Sequence, residues 1–240
     1  MTRLDVLVTK NGLAESRERA QALILAGKVR VAGETVRKPD RSVSEDAHIA
    51  VDADPAFASR GALKLAPALD RFRVDPSGRV CADIGASTGG FTDILLRRGA
   101  ARVYAVDVGR GLLHWRLRQD PRVVVIERTN ARDLESFPEP VSLVVIDVSF
   151  IGLEKVLPAV RRAASAAEVV ALFKPQFEVG RAEVGKGGIV RDQAAVNRAL
   201  AAFREWSVAA GYLVEGEVFS EVAGAEGNRE IFLHLRPEPR

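Results

Sequence analysis

The sequence is short of several things, and each shortage closes off a class of protein. One cysteine, Cys81, in 240 residues excludes a disulfide framework, and three scattered histidines (His48, His114, His234) offer no zinc-ligand spacing, so no metal is expected. The longest apolar stretches, such as Val141–Ile146, fall far short of the roughly 18 residues a membrane-spanning helix needs. The first residues, Met1-Thr2-Arg3-Leu4-Asp5, lack the basic-then-apolar layout of a signal peptide. Disorder is excluded too, because 47% of residues are hydrophobic and 28% charged. The expectation is a soluble, cytoplasmic protein with no membrane partner. Its length suits one large domain and one small one.

Net charge is only +3, but its distribution is uneven. Up to Val43 there are nine basic residues against five acidic ones. The next eleven carry Glu45, Asp46, Asp52 and Asp54 with no Lys or Arg. This reversal marks the edge of a small basic module at residues 1–54, followed by a linker at 55–59 and a larger domain at 60–240. Within the module, Leu4, Leu7 and Val8 share one helical face that ends at Gly12. Ser16 can cap a second helix bearing Ala20, Leu23 and Ile24, which Gly27 stops. Val29 and Val31 then alternate with Arg30 as in a half-buried strand, with Gly33 in a turn. Two helices followed by short strands, with basic residues around the second helix, resemble the S-four-type RNA-binding domain. Clustered cations attract backbone phosphates, and structured RNA is read largely by shape. Arg3, Arg17, Arg19, Lys28 and Arg30 are the expected RNA contacts, with Ser59 and Arg60 joining them from the start of the larger domain.

From Arg79 onward short apolar strands alternate with helices, the signature of a parallel sheet with crossovers. Strands are expected at Val80–Ile84, Arg102–Asp107, Val123–Ile126, Leu143–Asp147 and Val169–Phe173, and helices at Gly90–Arg98, Gly152–Ala166 and Asp192–Ala210. A further helix, Gly61–Phe72, precedes the first strand, and Val214–Ser220 with Arg229–Leu235 closes the sheet as an antiparallel pair. The fold class is α/β, a doubly wound, Rossmann-like sheet behind a small α+β domain. The first strand runs into Asp83-Ile-Gly-Ala-Ser-Thr-Gly-Gly-Phe-Thr92. Glycines there let backbone amides approach a ligand at a helix N-terminus. Their spacing, Gly85-x-x-x-Gly89-Gly90, is not the dinucleotide fingerprint, and no P-loop lysine is present. Asp83 ends its strand where it could hold the amino group of S-adenosylmethionine. Asp107 ends the next, where a carboxylate accepts from ribose hydroxyls.

Five motifs carry a second resemblance: Ser59-Arg-Gly-Ala-Leu-Lys64-Leu, Asp83–Thr92, Glu127-Arg-Thr-Asn-Ala-Arg132, Asp147-Val-Ser-Phe150 and Phe173-Lys-Pro-Gln-Phe-Glu178 with the glycine-rich loop after it. Together they resemble the TlyA family, with its FtsJ-type methyltransferase fold, across nearly the whole chain. The resemblance implies methyl transfer from S-adenosylmethionine to a cytidine 2′-hydroxyl in ribosomal RNA. It also implies a Lys–Asp–Lys–Glu tetrad at Lys64, Asp147, Lys174 and Glu230. The cofactor residues it implies are Asp83, Gly85, Ala86, Ser87, Thr88, Gly89, Gly90, Phe91, Asp107, Asn130 and Asp147. A ribose hydroxyl is a very weak acid, so a group must take its proton or hold the developing charge. Lys174 is expected in that role, its pKa lowered by burial and by Lys64, with Asp147 orienting it and Glu230 in the last strand positioning Lys64 or the ribose. Phe150 and Phe177 follow catalytic motifs and could stack on a flipped cytosine; packing is the favoured reading of both. Cys81, Trp115 and Trp206 read as packing residues.

Two rivals stand beside this reading. The family also carries a haemolysin label, but no spanning helix, barrel hairpin or strongly amphipathic surface helix is evident. A non-catalytic ribosome-assembly factor would keep the fold but has no use for two lysines at the active edge. The expected partner is ribosomal RNA or a ribosomal subunit, with the large-subunit RNA favoured from the short ends of the chain, and the protein is expected to act as a monomer.

Overall fold

The computed structural model describes every residue except Glu15, 52–56, Arg60, 225–226 and 239–240. The chain folds as two units, Met1–Ala56 and Phe57–Arg240. The boundary proposed near Pro55 and the RNA contact expected of Arg60 lie outside the described residues.

The first unit contains strand β1 (Thr2–Arg3) and helices α1 (Leu4–Lys10) and α2 (Arg17–Leu25). Strands β2 (Val29–Val31), β3 (Glu34–Val36), β4 (Ser42–Val43) and β5 (Ile49–Val51) follow. Ser16 caps α2 by accepting from the Arg19 N–H at 3.1 Å. Leu4, Leu7, Val8, Ala20, Leu23 and Ile24 face the strands and form the unit's core.

The second unit is built on a seven-stranded sheet. In chain order its elements are α3 (Gly61–Phe72), β6 (Val80–Ile84), α4 (Gly90–Arg97), β7 (Arg102–Val106), α5 (Trp115–Arg118) and β8 (Val123–Ile126). There follow β9 (Leu143–Ile146), α6 (Leu157–Ala163), β10 (Glu168–Phe173), α7 (Pro175–Glu178), α8 (Gln193–Ala209), β11 (Tyr212–Phe219) and β12 (Ile231–Pro237). The strand order is β11-β12-β10-β9-β6-β7-β8. Strands β6 to β10 pair in parallel, and β12 runs antiparallel to both β10 and β11. Alternation along each strand sends Ala82, Ile84, Val144 and Ile146 into a core with α6 and α8. Cys81, Leu143 and Val145 enter a second core with α3, α4 and α5 on the opposite face. The sheet is thus doubly wound, and Asp83 lies on the α4 side with Cys81.

Two expectations need correction. The helix foreseen over Gly152–Ala166 is a 3₁₀ turn at Leu153–Lys155 and then a shorter α6. Pro158 fits only the first turn of a helix, so α6 starts beside it, and Ala164 ends it in a non-helical conformation. Glu230 is not in the last strand but one residue before it, with its carbonyl accepting from the Ser220 N–H.

Candidate active site

Chain connections diverge between β6 and β9: β6 leads outward to β7 and β8, while β9 leads the other way to β10. Ligands of open α/β sheets bind beyond the strand ends at such a switch point. Gly85 follows β6 there with φ +85°, and Asp147 follows β9. A Cβ on Gly85 would collide with the Asp147 carbonyl oxygen, so the two strand ends approach this closely only with glycine. Gly89, at φ +95°, packs back on Leu113 and Leu117, and Gly90 lies against the backbone of Gly61 and Ala62. The last two glycines therefore seat α4 against its neighbours, while Gly85 shapes the crevice.

Two cavities share the wall formed by Gly85, Ser87 and Asp147. The first, of about 420 Å³, takes in Lys64, Asp83, Ala86, Thr88, Gly90 and Phe91. The second, of about 340 Å³, takes in Asp107, Asn130 and Phe150. Ser59, expected among the RNA contacts, lies in the wall of the first cavity beside Gly90. Ala223, which no motif pointed to, lines that cavity too.

Asp83 is fully buried. Its Oδ2 accepts from the Thr92 N–H (2.8 Å) and hydroxyl (2.7 Å), while Oδ1 is buried with no hydrogen-bond partner among the described residues. Burial pushes its carboxyl up to about 7; the negative charges of Asp147 and Asp107 add to this, and the Thr92 bonds oppose it. An orphaned carboxylate oxygen in the wall of a cavity is a place for a ligand cation, and the ammonium of S-adenosylmethionine fits that requirement. Asp107 accepts from Ser87 N–H (2.8 Å) and Gly109 N–H (2.7 Å), so it also fastens the glycine loop. Asn130 accepts from the Arg132 N–H at 3.1 Å and caps a 3₁₀ turn, which fixes it at the second cavity.

The four tetrad residues form two ion pairs. Lys174, 8% exposed, places Nζ 2.5 Å from Asp147 Oδ1 and donates to Ser149 Oγ at 3.0 Å. Lys64 meets Glu230 Oε2 at 2.6 Å. Gly224 makes room for this second pair, since a Cβ there would lie 2.6 Å from Glu230 Oε1. Each lysine thus has its own carboxylate, delivered from a different element. Ser149 was foreseen only as part of its motif; standing two residues beyond Asp147 is the signal that could have marked it.

The aromatic pair beside these residues does not fit a packing role throughout. Phe150 is 92% exposed and holds φ +65°, a conformation costly for a bulky side chain. Its ring lies 5.3 Å from that of Phe177, which Lys174 Nζ overlies at 6.0 Å. Packing is therefore the wrong reading for Phe150. Glu178, at the end of the same motif, accepts from the Leu153 N–H at 2.9 Å, and burial raises its carboxyl to about 7.

In the first unit, Arg3 and Arg17 are only partly available. Both pair with the buried Asp5 (3.1 and 3.0 Å), whose carboxyl they hold well below the usual range, Arg3 most strongly, with Gln21 adding a bond at 2.8 Å. Lys28 follows α2 beside Gly27, and Arg30 points outward from β2. Among the described residues no cluster of three or more His, Cys, Asp or Glu side chains could hold a metal ion, and no helix is long and apolar enough to cross a membrane.

This is the strand-end crevice of a Rossmann-like transferase fold, in a chain that also carries a small basic module. The sequence model of the FtsJ-like methyltransferase family matches residues 57–237, and that of the S4 domain matches residues 2–49. The chain belongs to the FtsJ-like methyltransferase family. It is 49% identical over 98% of its length to the 16S/23S rRNA (cytidine-2′-O)-methyltransferase TlyA of Mycobacterium tuberculosis, covering 90% of that protein. It is 41% identical over 97% of its length to Hemolysin A of Brachyspira hyodysenteriae, covering 99% of it. A solved structure from Streptococcus thermophilus that carries the hemolysin name superposes with a TM-score of 0.74 at 42% identity, covering 98% of this chain and 88% of that one.

Proposed function

We propose that this protein transfers a methyl group from S-adenosylmethionine to the 2′-hydroxyl of a cytidine in ribosomal RNA. The observation that carries the proposal is the Lys174 contact with Asp147 and Ser149 at the wall shared by the two cavities. When bound, S-adenosylmethionine supplies an electrophilic methyl on a sulfonium centre. Asp83 would hold its ammonium in the first cavity, and Asp107 and Asn130 would take its ribose and base in the second. Asp147, on the shared wall, aims Lys174 and would offer a negative charge to the cationic cofactor. Lys174 faces the RNA 2′-hydroxyl, accepting its proton or holding the charge that develops on the oxygen as the methyl arrives. Lys64, set by Glu230, borders the same space and positions the ribose. Phe150 offers its exposed face to the extruded base, and the first unit supplies phosphate contacts through its basic residues Arg3, Arg17, Arg19, Lys28 and Arg30. A ribosomal substrate would place this work in the cytoplasm.

The test is transfer of tritiated methyl to both ribosomal subunits and their naked RNAs, since the Mycobacterium tuberculosis relative is named for both. Nucleoside analysis of the product should show 2′-O-methylcytidine. Label on a base, or equal transfer by the Lys174→Ala variant, would overturn the assignment.

A further inference from the structure

The glycine-rich segment after α7 has no part in the chemistry above, yet it is built with care. Gly185 N–H donates to the Ile189 carbonyl (3.0 Å), and Gly188 N–H to Gly185 (3.1 Å). Gly187 and Gly188 both take left-handed conformations, φ +76° and +75°. The result is a tight turn with Lys186 near its tip, exposed, and Arg191, also exposed, just beyond it. The turn is pinned by one side chain. Asn228, 3% exposed, donates through Nδ2 to the Gly188 carbonyl (2.8 Å) and accepts at Oδ1 from the Val190 N–H (2.9 Å). Only this orientation of the amide satisfies both partners.

Asn228 stands two residues before Glu230, and the turn descends from the short helix that begins beside Lys174. The pin therefore joins the segments that deliver both catalytic pairs. Carboxylates near the turn are engaged elsewhere. Glu183 is taken by Arg198 at 2.7 Å, and Asp192 caps α8 and lies 3.7 Å from the same arginine. Among the described residues no carboxylate pairs with Lys186 or Arg191. Two exposed cations on an internally bonded turn, tied through Asn228 to the segment that carries Glu230, are an arrangement for meeting a polyanion at fixed register.

We infer that the Gly185–Arg191 turn grips the phosphate backbone of the RNA beside the target nucleotide, and that Asn228 is the positioning residue that registers this grip on the active site. The inference rests on the proposed function, but its first readout does not need turnover. RNA binding by the full chain is titrated with salt for the wild type and for Lys186→Ala/Arg191→Ala. Losing two phosphate contacts should flatten the slope of log affinity against log salt by roughly 1.4–1.8 units. It should also raise KM for RNA at least tenfold, with S-adenosylmethionine affinity unchanged. Asn228→Ala, which keeps both cations, should lower kcat at saturating RNA with KM for RNA within a few-fold of wild type, and Asn228→Asp, which keeps the Val190 bond but sets a carboxylate oxygen against the Gly188 carbonyl, should lose at least as much. An unchanged slope and KM in the double variant would overturn the grip. Wild-type kcat in Asn228→Ala would overturn the registering role. If the wild type binds RNA with the expected slope but transfers no methyl, the catalytic reading fails and the grip stands.

Discussion

If Asp83 receives the cofactor's ammonium, S-adenosylmethionine binding should be a proton-linked event. In the ligand-free protein its carboxyl is raised to about 7 from 3.8, chiefly by burial. Below pH 7 the folded protein therefore holds a proton that a cationic ligand must displace in order to pair with Oδ1. For one such site the apparent association constant falls by the factor 1 + 10^(7 − pH), about 30-fold at pH 5.5 and about 1.3-fold at pH 7.5. Affinity should thus rise roughly 25-fold across that range and flatten above it. The linkage also has a stability side. The folded value lies above the unfolded one, so stability conferred by the protonated form is complete below pH 3.8. It is lost as pH rises to about 7, by up to about 4 kcal/mol at 1.36 kcal/mol per unit. Calorimetric titration at pH 6 in two buffers of different ionisation enthalpy should report release of about one proton per ligand bound. Asp83→Asn should weaken binding, abolish that release and remove the pH dependence. Glu178, which also titrates near 7, remains in that variant as the internal control. Binding that is indifferent to pH between 5.5 and 7.5, with no buffer-dependent heat, would refute the assignment of Asp83 to the cofactor's ammonium.

Lys174→Ala should cut turnover by roughly 10²–10⁴-fold, the usual worth of a positioned proton-transfer group, with cofactor affinity within a few-fold of wild type by calorimetry. Gly85→Ala should destabilise the fold by at least about 1–2 kcal/mol from its left-handed backbone alone, lowering the melting temperature by roughly 2–8 °C. It should also weaken cofactor binding, because its Cβ meets the Asp147 carbonyl. Phe150→Gly should raise the melting temperature slightly by relieving the positive φ, yet raise KM for RNA; a variant both more stable and fully active would remove Phe150 from the substrate site. A chain starting at Phe57 should still bind S-adenosylmethionine but lose most of its RNA affinity and part of its salt slope, and equal slopes would make the first unit's basic cluster a solvated face.

What the sequence disclosed follows from which interactions are local. Strands β6 and β8 were legible to the residue, because strands of a parallel sheet are short apolar runs bounded by turns. The same logic located Asp107, Asp147 and Lys174 just where those runs stop, while Asp83 proved to lie one residue inside the end of β6. Glu230 was placed a residue too deep because polarity alone does not mark where antiparallel pairing begins. Partnerships were less visible. Nothing local says that Lys64 will meet Glu230 across 166 residues, that Ser149 will share Lys174 with Asp147, or that Arg3 and Arg17 will be drawn inward by Asp5. Phe150 shows the limit most directly. An apolar residue after a strand reads as core by composition, and only backbone geometry and exposure reveal that it faces outward at a cost in strain. The site gathers such costs in one place: a buried carboxylate oxygen without a partner, two lysine–carboxylate pairs largely withdrawn from water, and a strained exposed ring. None of these is the cheapest way to stabilise the sheet, since a buried ion pair often does no better than well-packed apolar residues of similar size. Their convergence at one switch point is the arrangement expected of a site that a ligand and RNA complete.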